Sequence, residues 1–162
     1  MYYTNVTLHV LAAIVWLGGM FFLAAVGAPI LRTVEPPALR AHLFRALGQA
    51  FRNVGWGAIG VLLATGIANL AFHGLASRAA LENRALWRSP YGHALTIKLT
   101  CVALMIALSA LHDFVLGPRA ARAQPGTVAA RRFRRAATWI ARCNVVLGVV
   151  LVIAAVRLAR GG

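Results

Sequence analysis

Four apolar blocks, each close to the roughly 20 residues that a helix needs to cross a bilayer, are the feature that most constrains this chain. They fall at about 6–28, 54–75, 93–116 and 136–158, separated by connections rich in arginine. Isolated strands cannot satisfy their backbone groups in lipid, so spans of this kind must be helical. The connections are short enough to set successive helices side by side. The expected fold is an all-α integral membrane protein, an antiparallel four-helix transmembrane bundle forming a single domain. With 162 residues, the chain has no room for a separate soluble domain.

Hydrophobic residues make up 60% of the chain, and the mean hydropathy is +0.74, well above that of a soluble domain. The net charge of +14 in a soluble protein would point to nucleic acid. Here the arginines lie between apolar blocks, where topology and contact with anionic lipid heads account for them, so nucleic acid is not an expected partner. Cys101 and Cys143 both fall inside apolar blocks, which argues against a disulfide framework. The first block lacks a preceding positive run and a small-residue cleavage site, so it reads as a retained helix and not as a signal peptide.

Local signals set the expected ends. Pro29 marks the end of the first block, and Gly117-Pro118 the end of the third. Thr4 or Asn5 is an expected cap of the first helix. Ser89-Pro90 reads as a turn opening the third helix. Within the first connection, at 30–52, Pro36 and Pro37 open a short amphipathic helix that either lies in the interface plane or extends the second span. Gly18 and Gly19 form a flat spot for a close neighbour. Thr65, Asn69 and His73, spaced by four, share one helix face.

The first and third connections hold ten arginines. The opposite side has three in the second connection plus Arg157 and Arg160 at the tail. The positive-inside rule then puts both termini outside, in the periplasm of a bacterial inner membrane. That orientation sets His9, His73, His93 and Lys98 toward the outer face and His112 near the inner end of the third helix.

Ionisable residues within lipid are costly and usually face a bundle interior. For His73, His93 and Arg142, a position near the headgroups with the side chain snorkelling outward is a sufficient account. His9 and Lys98 lie deeper. Two cofactor readings follow. In the first, His9 is an axial ligand of heme b held between helices. Lys98 then pairs with the propionates, Trp16 lines the ring, and His73 or His93 is the second ligand. In the second, His9, His73 and His93 bind copper, with Met20 and Met105 as softer ligands for Cu(I). A third reading is a cofactor-free structural or assembly subunit. No nucleotide-loop or hydrolase motif is present, and the presence of just three acids in the whole chain argues against metal-assisted hydrolysis.

Two resemblances bear on this choice. Residues 8–22 (LHVLAAIVWLGGMFF), 91–119 (YGHALTIKLTCVALMIALSALHDFVLGPR) and 141–156 (ARCNVVLGVVLVIAAV) resemble the copper resistance D family, which implies a multi-pass membrane protein associated with copper. More distantly, His9 with Trp16 and Gly18, Lys98 with His112, and Asn144 resemble positions of the HemJ-type protoporphyrinogen oxidases. That resemblance implies heme b held by His9 with Lys98 important for function. The stretch at 20–27 (MFFLAAVG) lacks the tyrosine, proline and arginine those enzymes carry there, which argues against porphyrinogen oxidation. The leading expectation is therefore a membrane b-type heme protein passing electrons or protons at the outer face. Its partners would be lipids, a redox partner or quinone, and further copies of itself. A copper transport or resistance protein is the alternative.

Overall fold

The computed structural model describes residues 1–123 and 127–160, and it is helical almost throughout. Four helices are long and apolar enough to cross a membrane: α1 (Tyr2–Arg32), α2 (Pro37–Phe72), α5 (Pro90–Ala120) and α6 (Val128–Ala159). Two short helices, α3 (Arg78–Glu82) and α4 (Arg84–Arg88), lie between α2 and α5. Between 11% and 22% of each span's apolar window is buried. The protein is a multi-pass membrane protein.

The helix ends differ from the expectation at two places. Pro29 does not end α1, nor does Pro118 end α5. Each proline is preceded by a wider π-type turn, at Leu23–Gly27 and Leu111–Leu116 respectively. Proline removes one i→i−4 bond and crowds the carbonyl four residues back. A widened turn accommodates that insult without stopping the helix. Helix α2 starts at Pro37, so of the two expected readings of the amphipathic connection, the one that extends the second span holds. The fourth span likewise absorbs Arg131–Arg135, starting from the Thr127 cap, whose Oγ1 accepts from Ala130 N at 3.2 Å. The Ser89-Pro90 signal works as expected. Ser89 Oγ accepts from Gly92 N at 3.0 Å, and Pro90 opens α5.

The chain divides into two compact units, Met1–Asn83 and Arg84–Gly162. In the first, residue numbers rise along α1 as they fall along α2. Asn5 meets Asn69, His9 meets Thr65, and Trp16 faces Gly55. Glycine makes the close approach possible. A Cβ on Gly19 would collide with the Phe51 ring, and one on Gly55 would reach 3.8 Å from Trp16 Cδ1. Such small-residue contacts are how spans pack where lipid removes the hydrophobic incentive. Of the predicted flat spot, Gly19 is in use, while a Cβ on Gly18 would meet open space. Ala12, Trp16, Gly55, Ala58, Ile59 and Thr65 form the buried seam.

In the second unit, α5 packs on α6. Asn144, Gly148, Leu151 and Ala154 are buried on α6, at the three- and four-residue spacing of one helix face. They meet the α5 face carrying Leu95, Cys101 and Met105. Gly92 sits against the Leu86 carbonyl of α4, where no side chain would fit.

Candidate functional site

The first unit concentrates its polar side chains in one ladder. Asn5 and His9 are four apart on α1, and Thr65 and Asn69 are four apart on α2, so each pair lies on one face. Asn5 Nδ2 donates to the Thr65 carbonyl at 3.0 Å and to Asn69 Oδ1 at 2.9 Å. His9 Nδ1 and Thr65 Oγ1 are 2.8 Å apart. Thr65 is 7% exposed, and the other three are half-buried.

The direction of the His9–Thr65 bond follows from proton bookkeeping. A threonine hydroxyl has one proton. Thr65 Oγ1 lies 2.6 Å from the Val61 carbonyl, one turn back on its own helix, and the proton goes there. The oxygen can then only accept from His9, so Nδ1 carries the proton in this pair, and in the neutral ring the lone pair falls on Nε2. The ring lies over Gly66, where an added Cβ would come 3.6 Å from Cε1. Nδ1–H held by a neighbouring oxygen is the outer-shell arrangement that metal-binding histidines use.

Asn5 does not cap α1. The cap position is Met1, and no side chain bonds there. Asn5 crosses to α2 instead, because two helices in lipid offer its amide better partners than their own ends. Asn5 and Thr65 are the functional candidates that a reading of single motifs misses. Their signal is the shared spacing, Asn5 with His9 and Thr65 with Asn69.

The remaining expected site residues are dispersed. His73 caps the end of α2. Its Nδ1 donates to the Asn69 carbonyl at 2.7 Å, and the Tyr2 ring stands edge-on with centroids 5.9 Å apart. It is exposed and eight residues past Thr65, ~12 Å farther along the helix axis. Met20 is eleven residues from His9, ~16 Å along α1. In the second unit, His93 is exposed in the first turn of α5, and Lys98 is half-buried one turn farther on. His112 Nδ1 lies 2.9 Å from Asp113 Oδ1. Met105 is fully buried and Cys101 nearly so. Asn144 Nδ2 donates to Ser109 Oγ at 3.0 Å, and its Oδ1 has no hydrogen-bond partner among the described residues. Among the described residues, no group of three or more His, Cys, Asp and Glu side chains converges as a metal cluster.

These placements give the heme reading no support. Trp16 is 3% exposed and packs on Gly55 at the α1–α2 seam, where it fills a helix contact. His73, proposed as a second axial ligand, lies about two turns of helix from the depth of His9.

Comparison with known proteins identifies the sequence class. The chain is 28% identical over 155 residues to an uncharacterized protein of Aquifex aeolicus strain VF5, covering 95% of this chain and 92% of that one. No solved structure matches the chain. A family model described as copper resistance protein D matches residues 45–158. The match takes in Thr65, Asn69, Lys98, His112 and Asn144, and leaves His9 upstream of it. With well over half of its length in that match, the chain belongs to the copper resistance protein D family.

Proposed function

We propose that this protein binds copper within the membrane as cargo, in copper resistance or transport, with His9 Nε2 as a ligand. The observation that carries the reading is the Thr65 hydroxyl holding Nδ1–H of His9, in a chain of the copper resistance family. Imidazole suits both copper oxidation states. The ligand must be the neutral ring, because copper and a proton compete for the same lone pair. Asn5 and Asn69 brace the two helices beside it, which keeps the ring from turning toward lipid. The arginine asymmetry supports an orientation with both termini outside the cytoplasmic membrane, which puts His9 toward the outer face.

The test is metal analysis and a visible spectrum on intact protein purified in detergent from cells given both copper and heme precursors. The expected result is near-stoichiometric copper in the wild type, lost in His9→Ala. Copper retained unchanged in His9→Ala would overturn the ligand assignment. A Soret band that vanishes in His9→Ala would replace the copper reading with the heme one.

A further inference from the structure

Helix α6 carries a second chemical feature, unrelated to His9. Arg134, Arg135, Thr138, Trp139 and Arg142 line one open recess at its start. Arg134, Thr138 and Arg142 follow each other at four-residue intervals, so their side chains stack on one face. The Arg142 guanidinium lies 5.4 Å from the centroid of the Trp139 ring, within cation–π range. Thr138 Oγ1 donates its proton to the Arg134 carbonyl at 2.9 Å, so the side-chain donors left among the lining residues are the guanidiniums and the Trp139 indole N–H.

Among the described residues, the ion pairs seen lie elsewhere and none involves these three guanidiniums. Asp113 is the single Asp or Glu of the second unit, and it lies against His112. Guanidinium groups present parallel N–H donors that match phosphate oxygens in pairs. The recess therefore calls for a phosphate-bearing anion.

The surface beyond it says which kind. Trp139 is 62% exposed, and on the same side of α6 follow Val146, Val150 and Ile153, at 63%, 38% and 52% exposure. An exposed apolar stripe thus runs from the mouth of an anion recess along a membrane-spanning helix. A free phosphate would leave that stripe unused. We infer that the Arg134, Arg135 and Arg142 recess holds the phosphodiester of an anionic phospholipid, whose acyl chain lies along the Trp139–Ile153 stripe.

The experiment titrates intact protein in a neutral detergent with dioleoyl phosphatidylglycerol and with dioleoyl phosphatidylcholine, counting bound lipid by native mass spectrometry. Inorganic phosphate is added as a competitor. The wild type is expected to retain one phosphatidylglycerol saturably, to prefer it over phosphatidylcholine, and to keep it against inorganic phosphate. R134Q/R135Q/R142Q is expected to weaken that binding by at least about tenfold, since each charge-assisted bond contributes more than one factor of ten at full strength. R119Q/R131Q/R132Q removes the same charge from arginines outside the recess, exposed as those of the recess are, and is expected to weaken binding by less than about threefold, the screened effect of charge that does not touch the bound phosphodiester. R142K keeps the charge but loses the paired donors, and is expected to fall between the two even if the triple variant misfolds. Equal losses in both triple variants, an R142K protein that binds as tightly as wild type, or displacement of lipid by inorganic phosphate would each overturn the inference.

Discussion

Thr65 has a single proton to give, and the Val61 carbonyl takes it. Everything said of His9 follows from that. Thr65→Val keeps the shape and removes the acceptor, so the imidazole loses its anchor and the choice of tautomer is no longer imposed. Outer-shell partners of this kind are worth about 10–100-fold in metal affinity. Thr65→Val is expected to weaken copper binding within that range, measured by competition with a chelating probe, while Thr65→Ser restores it. A valine variant that binds like the wild type would show that the hydroxyl does not position the ring. The spacing of Thr65, Asn69 and His73 on one face was legible in the sequence. Which of the three would meet His9 was not, because that depends on the register between helices. A turn of helix separates the residue that holds the ring from Asn69, and another separates Asn69 from the exposed His73 at the cap.

At the scale of elements, hydropathy alone located the four spans, and proline and arginine were the misleading signals. Pro29 and Pro118 read as stops because proline breaks an ordinary α-turn, yet each follows a π-type turn that takes up the distortion. The arginines of 131–135 read as a loop, but Thr127 caps them into α6, where long basic side chains can reach the headgroups from a helix. The α1–α2 contact rests on Gly19, whose missing side chain admits the Phe51 ring. Gly19→Val forces that ring aside. Overpacking a close contact costs about 1–3 kcal/mol, so thermal unfolding in detergent should shift down, whereas Gly18→Ala, which meets open space, should leave it nearly unchanged. Equal shifts in both would remove Gly19 from the packing account.

At the scale of the whole molecule, only 11% to 22% of each span's apolar window is buried, so few side chains are enclosed within the units. Sequence was sufficient to reach the membrane class and the family, because both are carried by blocks of 20 residues or more. It was insufficient to choose between heme and copper, since both draw on the same imidazole. Trp16 shows why: its position seven residues after His9 suits a porphyrin wall, but Gly55 across the seam offers it a closer partner. The charge asymmetry predicts an orientation for the molecule as a unit. In a background with Cys143, the exposed native thiol, replaced by serine, a cysteine at Tyr3 or Ala159 should react with a membrane-impermeant thiol reagent in intact cells. A cysteine at Ala41 should react only after permeabilisation. The reverse pattern would invert the topology and move His9 to the cytoplasmic side.

The central claim is that the His9 imidazole itself contacts copper. X-ray absorption at the copper edge, on intact wild-type and His9→Ala protein loaded with one equivalent of copper, reads that contact directly. The account predicts imidazole scattering in the wild type that disappears in the variant. Identical spectra from the two proteins would contradict it.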